Sequence, residues 1–260
     1  MGIYKILLLF FIFGQKGIVG IDHVPIVVNN PDSAAAFYKN IGFAIKPGRF
    51  HENGIRNQHV KFPDGTELEL ITASAPVDVL TTEYCNFLRE GEGPAYFGLY
   101  TPAPATVMRV LDGYMDYEQE AGMITFPAGS IFHPLFFGGR NISPTDKPAH
   151  FAHTNTAHAV SAVWLATNHI DQYLALFQRL GIPVMQKTVL GSKAQVGVLA
   201  EGEVILLPAS FQVVPRHEVI GVTVRVSDIK AAKKALQAAG IKGLVIPPSM
   251  THGIWLAFSS

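Results

Sequence analysis

In residues 20–42 (GIDHVPIVVNNPDSAAAFYKNIG), apolar residues first occur at every second position, as in a strand. Further along the same segment their spacing is that of a helix. On a strand, alternate side chains point to opposite faces, so Val24, Ile26 and Val28 share one face and His23 lies on the other. A proline–aspartate pair then marks a capped helix start, and a glycine marks the helix end. The pattern predicts a strand and a helix, with His23 on the strand face that points away from the helix.

Three later stretches repeat this pattern, and such self-similarity is typical of a fold built from repeated units. The predicted strand and helix pairs span 95–101 and 103–113, then 159–167 and 169–181, then 219–227 and 228–240. The last two helices carry an apolar stripe and end, like the first, at a glycine followed by an apolar residue. Short strand-like runs follow each helix, with one run weak in the second and fourth units. The sequence therefore predicts an α+β fold of four βαβββ units.

The longest loop-like segment, residues 145–157, is rich in proline, threonine and histidine. It divides the chain into a first half, residues 18–145, and a second half, residues 146–260. Each half holds two of the predicted units.

The first 13 residues (MGIYKILLLFFIF) contain one lysine and an apolar run of the length found in signal-peptide cores. The run is short for a membrane span, so no stable span is expected. We interpret residues 1–17 as a candidate signal peptide, which would make the protein periplasmic or secreted. The alternative is an N-terminal strand or a start codon placed too early, and the protein would then be cytoplasmic.

Composition narrows the function classes. The 260 residues are 48% apolar and 15% charged, which favours a folded globular chain over disorder. Twenty basic residues balance twenty acidic ones, so no nucleic-acid partner is expected. Cys85 is the only cysteine, which excludes an internal disulfide and a cysteine-rich zinc site. Nucleotide-binding glycine motifs and the GxSxG elbow are absent, so no nucleotide cofactor is expected.

Three motifs of the first unit resemble the glyoxalase-like domains of the vicinal oxygen chelate superfamily. They are IDHV at 21–24, FYKNIGF at 37–43 and GTELELI at 65–71, supported by GRFH at 48–51, GIRN at 54–57 and HTNTA at 153–157. The resemblance implies that the units pair into two cups of curved sheet. It also implies a divalent metal in a cup, held by ligands from the first and last strands of each unit.

Carried onto this sequence, the resemblance places metal ligands at His23 and Glu69, and Glu69 is either a ligand or a catalytic base. Strand alternation puts Glu67 on the same face as Glu69, as a second candidate base. His133 is the candidate third ligand from the second unit. Histidine nitrogen with carboxylate oxygen suits Zn, Fe(II), Mn or Ni. The alternative is a hydrogen-bonded His23–Glu69 pair in a cup without metal.

Five further residues are candidate substrate contacts. Alternation on one predicted strand puts Asn57 and His59 on the face of the candidate ligands, and His51 precedes that strand near the cup mouth. The resemblance adds His153 and Asn155, which would border the same cup. For His51 and Asn57 the alternative role is loop capping.

The second half lacks a usable ligand set. Ala162 stands where the first unit has His23, and the last strand of the third unit offers only apolar residues around 204–207. We therefore expect a duplicate half without a metal. For the first cup, lyase, isomerase and dioxygenase chemistries stay open, because fold does not decide chemistry. The alternatives are a metal-free protein that binds or sequesters a small molecule, and a structural exported domain; a homodimer is compatible with each.

Overall fold

The computed structural model describes residues 17–120 and 122–260. The predicted signal peptide lies almost wholly outside the described residues. No helix within the described residues combines the length and the apolar character that a membrane span needs.

The first unit starts with two short strands that only Asp22 separates. Its elements are β1 (Gly20–Ile21), β2 (His23–Val27), α1 (Pro31–Asn40), β3 (Lys46–Phe50), β4 (Ile55–Lys61) and β5 (Glu67–Ala73). The cap of α1 is Asn30, whose side-chain oxygen accepts from the backbone N–H groups of Asp32 and Ser33. The helix thus begins at Pro31, as the proline–aspartate signal predicted. The capping oxygen comes from Asn30, the residue before Pro31.

A helix that the apolar spacing did not reveal follows the first unit. This helix, α2 (Val79–Glu90), begins with a capping box in which Asp78 and Thr81 bond reciprocally. The second unit then contains five short strands and one helix. Its elements are β6 (Gly93–Pro94), β7 (Phe97–Tyr100), α3 (Pro104–Leu111), β8 (Glu118–Glu120), β9 (Met123–Thr125) and β10 (Leu135–Gly138).

The second half begins after a 3-10 helix at Pro148–Phe151. Its third-unit elements are β11 (Ala157–Thr167), α4 (Ile170–Arg179), β12 (Val184–Val189), β13 (Ser192–Leu199) and β14 (Gly202–Pro208). A 3-10 helix at Ala209–Phe211 follows. The remaining elements are β15 (Val219–Val226), α5 (Ile229–Ala238), β16 (Val245–Ile246), a 3-10 helix (Pro248–Met250) and β17 (Trp255–Ser259).

The strands form three sheets. Their orders are β3-β4-β5-β2-β6, β1-β7-β10-β9-β8 and β12-β13-β14-β11-β15-β17-β16. The strand before each of α1, α3, α4 and α5 pairs in parallel with the last strand that follows the helix. Two strands, not three, follow α5. The predicted fold class, α+β, is confirmed.

The main core lies between the sheets and the helices that cover them. Val24, Ile26 and Val28 are fully buried in it together with Ala34 and Tyr38 of α1. Fully burying such aliphatic side chains stabilises a fold by about 1.5–3 kcal/mol each. The apolar face of this strand therefore packs under the helix, as predicted. His23 lies on the opposite, concave side of the first sheet.

Candidate functional site

A cavity of about 660 Å³ opens on the concave face of the first sheet. That volume lies within the range that encloses small organic ligands, roughly 300–1,000 Å³. The predicted site residues in its wall are His23, His51, Asn57, His59, Glu67 and Glu69. The rest of the wall consists of Lys46, Pro47, Gly48, Arg49, Asn141, Ser143, Pro144 and Thr145. Most of these residues carry polar side chains, which favours a ligand that forms hydrogen bonds.

Strand register explains why these side chains converge. In the sheet, β5 lies between β2 and β4, and Glu67 is paired with His23 on one side and Lys61 on the other. Glu69, two residues further along, is paired with His59. Residues two apart on a strand share a face, so both glutamates point to the same side as His23. The structure thus brings the first-unit candidates together on one face.

Glu69 and His23 meet at the centre of this face. Asn57 Nδ2 donates to Glu69 Oε1 at 2.7 Å, while Asn57 Oδ1 accepts from the backbone N–H of Arg49 at 3.0 Å. These two bonds fix both the amide and the carboxylate. The second carboxylate oxygen, Oε2, lies 3.9 Å from His23 Nε2. That distance is too long for a hydrogen bond, so both atoms are available to a ligand oxygen.

Asp22 holds the other side of the His23 ring. Its Oδ2 lies 3.3 Å from His23 Nδ1, and the Asp22 side chain is 2% exposed. Burial by itself would lower the pKa of His23, but Asp22 and, beyond it, Glu69 and Glu67 raise that pKa from 6.5 to about 9. The imidazole between the two carboxylates is therefore a cation at neutral pH.

This shift predicts a pH dependence of stability. Because the folded-state pKa of His23 lies above its unfolded value, its contribution is complete below pH 6.5 and is lost as the pH rises to about 9. We expect the His23 ring protons to titrate near pH 9 in NMR spectra. The free energy of unfolding should fall over the same interval in the wild type and much less in His23→Gln. Titration near pH 6.5 would contradict this electrostatic description.

Glu67 is engaged more tightly than Glu69. It bonds to His59 Nδ1 and lies 3.3 Å from Lys61 Nζ. Although burial would raise the pKa of Glu67, the hydrogen bond from His59 and the nearby positive charges lower it overall. A carboxylate that is already paired is a poor proton acceptor. Of the two candidate bases, the geometry therefore favours Glu69.

Helix α2 fills the other part of the concave face. Tyr84 packs there against Val27, Ile55, Ile71 and Ala73. The helix thus covers the apolar end of the face and leaves the polar end as the cavity. Sequence reasoning missed α2, although Asp78 and Thr81 form a recognisable cap signal three residues apart.

His133 does not join His23 and Glu69. It precedes β10, its Nδ1 bonds to the carbonyl oxygen of Phe126 at 2.9 Å, and its Nε2 lies 3.3 Å from Glu83 Oε1. Glu83 belongs to α2 and also accepts a hydrogen bond from the Tyr96 hydroxyl. The His133 ring therefore faces α2, and the expectation that His133 is the third metal ligand beside His23 and Glu69 is corrected.

Among the described residues, the two central strands of the second unit, β7 and β10, offer no other ligand to the first cup. Neither β7 (FGLY) nor β10 (LFFG) carries a histidine or carboxylate, and the Phe136 ring lies 4.9 Å from that of His23. A side chain at Gly98 would collide with Phe136, at 2.4 Å from its ring. Within residues 17–120 and 122–260, no three His, Cys, Asp or Glu side chains are grouped to hold a metal. The residues present thus do not fit the three-ligand metal site that the resemblance implies.

His153 and Asn155 lie behind the sheet and not in the cavity wall. His153 Nδ1 accepts from the Ala44 backbone N–H at 2.9 Å, and its Nε2 pairs with the Lys61 carbonyl at the same distance. The fully buried Asn155 donates to the Ile41 carbonyl and accepts from the Ala157 N–H. Both side chains therefore connect the second half to the backbone of the first half. The expectation that they border the substrate is corrected.

The concave face of the second half is filled by its own side chains. Trp164, Ile205 and Leu207 pack there with small residues of β11, β13 and β17. Trp164 Nε1 donates to the Thr223 hydroxyl at 2.9 Å. This face carries no grouping of histidines and carboxylates like that of the first sheet.

Comparisons with known proteins agree with this architecture. Residues 21–129 match the family model described as a glyoxalase-like domain, and no curated protein sequence matches the chain. A hypothetical protein from Staphylococcus aureus is 12% identical in structural alignment, with 93% of this chain and 99% of that chain covered and a TM-score of 0.66.

Two solved enzymes share the fold. A mutant of 4-hydroxymandelate synthase from Streptomyces coelicolor is 13% identical, with 89% of this chain and 79% of that chain covered and a TM-score of 0.64. A catechol 2,3-dioxygenase is 8% identical, with coverages of 94% and 88% and a TM-score of 0.63. At such identities the likeness concerns the fold alone. Residues 21–129 therefore match a glyoxalase-like domain, and this match and the shared fold together fit the vicinal oxygen chelate superfamily.

Proposed function

We propose that the first cup binds a small molecule with neighbouring hydroxyl and carbonyl oxygens, and that it does so without a metal. The observation that carries this proposal is the pair of unbonded atoms at the cavity centre, His23 Nε2 and Glu69 Oε2, which lie 3.9 Å apart. A protonated His23 donates a hydrogen bond, and an ionised Glu69 accepts one. A hydroxyl group beside a carbonyl group supplies the complementary acceptor and donor.

The same pair supports a proton-transfer reaction. Glu69 Oε2 accepts the proton from a carbon next to the carbonyl group, and His23 Nε2 donates its proton to the carbonyl oxygen. The product is a neutral enediol, and return of the two protons to other positions completes an isomerisation. Asn57 holds Glu69, and Asp22 stabilises the positive charge of His23 before the transfer. This is the enzymatic form of the proposal; the alternative is a protein that binds or sequesters such a molecule unchanged.

Hydroxyacetone is a suitable probe, because it carries only the two neighbouring oxygens. A ligand of five non-hydrogen atoms is expected to bind with Kd on the order of 1 mM. We expect saturable NMR shift changes in protein treated with a chelator and verified by elemental analysis to contain no stoichiometric metal. Binding that appears only after addition of Zn, Fe(II), Mn or Ni would overturn the metal-free proposal.

Deuterium exchange separates the enzyme from the binding protein. In D₂O, proton transfer by Glu69 replaces the C–H hydrogens of bound hydroxyacetone with deuterium, which ¹H NMR follows directly. Exchange above the buffer rate, lost in Glu69→Gln, would support the enzyme. Saturable binding with exchange at the buffer rate would refute the proton-transfer step and leave a binding protein.

A further inference from the structure

One wall of the cavity comes from the segment that leads from the first half to the second. We call residues 141–146 the strap. Four of its six residues line the cavity: Asn141, Ser143, Pro144 and Thr145. The strap follows β10 and precedes the 3-10 helix at Pro148–Phe151, so it has no strand partner to hold it.

Asp146 anchors the strap to the first sheet. Lys46 Nζ donates to Asp146 Oδ1 at 2.5 Å, and Lys61 Nζ lies 3.1 Å from Oδ2. The backbone N–H of Ser143 also donates to Oδ2, at 3.0 Å, which folds the strap onto its own anchor. Although burial would raise it, the hydrogen bonds from Lys46, Ser143 and Lys61 hold the pKa of Asp146 at about 2.

Lys61 connects the same anchor to the cavity. Its side chain is 1% exposed, and Nζ lies within 3.3 Å of three oxygens. They belong to the Asn141 carbonyl at 2.5 Å, to Asp146 at 3.1 Å and to Glu67 at 3.3 Å. The Asn141 carbonyl accepts a hydrogen bond from this ammonium group, and the two carboxylates lie at ion-pair distance from it. A buried charge is tolerated only when it is paired, and this pairing therefore fixes where the strap lies.

We propose that the strap is a specificity-determining wall of the ligand cavity, and that Asp146 and Lys61 are the positioning residues that hold it there. This proposal rests on the proposed function of the first cup and adds a ligand class to it. The strap contributes the polar side chains of Asn141, Ser143 and Thr145 to the wall. The ligand it selects is therefore a hydroxycarbonyl compound with further hydroxyl groups, and not one with a hydrocarbon tail.

The position of the strap is tested without any ligand. In Asp146→Asn we expect hydrogen exchange of the amides of Ser143 and Asp146 to accelerate about tenfold or more, because the charged anchor is lost. Diethylpyrocarbonate should also acylate the cavity histidine His51 several-fold faster. Asp146→Glu retains the charge and should restore part of the protection. Asp32→Asn, which removes an exposed ion pair of the same half, should change neither rate.

Unchanged exchange and acylation rates in Asp146→Asn would overturn the anchoring role. If Asp146→Asn does not fold, Lys46→Gln removes only one of the two lysine contacts and is expected to give a smaller acceleration of the same amides. No acceleration in that variant would also overturn the role. Because these rates need no ligand, their outcome is independent of whether hydroxyacetone binds.

Selectivity is measured by comparing hydroxyacetone with erythrulose, which adds two hydroxyl groups to the same hydroxycarbonyl unit. We expect the wild type to bind erythrulose about tenfold more tightly and Asp146→Asn to lose that preference. An equal preference in the two proteins would refute the strap as a specificity wall. Failure of both probes to bind the wild type would instead refute the proposed function, with the exchange rates still reporting on the anchor.

Discussion

Replacing Glu69 by glutamine is expected to weaken hydroxyacetone binding about 10- to 100-fold and to stop deuterium exchange. Hydrogen bonds to charged groups contribute about 1.5–3 kcal/mol, which corresponds to that loss of affinity. The amide of glutamine is nearly isosteric with the carboxylate, but it is uncharged and cannot accept a proton at neutral pH. The measurement is the NMR shift titration together with the exchange rate in D₂O.

Glu203→Gln is the matched control for this variant. Glu203 lies on β14, the third-unit counterpart of β5, and is paired with Lys187. It is remote from the cavity lining, so binding and exchange should be unchanged. If Glu69→Gln bound hydroxyacetone as tightly as Glu203→Gln, the carboxylate would have no part in recognition.

Replacing His153 by alanine is expected to lower the free energy of unfolding by about 3–5 kcal/mol. The change removes a buried ring packed against Phe43 and Phe62 and leaves the Ala44 N–H and the Lys61 carbonyl without their partner. Cavity formation and unsatisfied buried polar groups both contribute to a loss of this size. Denaturant unfolding followed by circular dichroism gives the value.

His150→Ala serves as the comparison, because His150 is a partly exposed histidine whose side chain accepts only the nearby Lys147 N–H. This variant should lower the free energy of unfolding by less than about 1 kcal/mol. Folded His153→Ala protein should still bind hydroxyacetone. A stable His153→Ala protein that had lost binding would restore the substrate-contact role that the sequence suggested and that the structure does not support.

The first unit could be predicted in detail because its signals are local. Alternation along the strands placed His23, Asn57, Glu67 and Glu69 on one face, and the register of the sheet then brought them together. The fold class was predictable because the same pattern of strand, helix and short strands recurs along the chain. These inferences need only the period of a strand and the residues that end a helix.

The residues that were misplaced depend on contacts far apart in the chain. His133 precedes its strand and turns toward Glu83, some 50 positions earlier, on a helix whose apolar spacing gave no signal. His153 reaches the backbone of Ala44 and Lys61, which lie in the other half. Local periodicity carries no information about such pairings. The motif match at 153–157 identified the segment but not what its side chains contact.

The anchoring of the strap was also beyond sequence reasoning. Lys61 lies on the same strand as Asn57 and His59, and Asp146 lies in a loop rich in turn-forming residues. The two residues of this ion pair are 85 positions apart in the sequence. Lys61 also contacts Glu67, which lines the cavity. Only the folded chain shows that the joint between the halves is also part of the candidate site.

The amide shift map of the chelator-treated protein with hydroxyacetone tests the central claim most directly. The ¹H–¹⁵N spectrum should change at the amides of β2, β4, β5 and the strap, around His23, Asn57 and Glu69, with no metal added. The amides of residues 157–260 should be unaffected. Changes confined to the second half, or changes at the first cup that require an added divalent metal, would contradict the metal-free site proposed for the first cup.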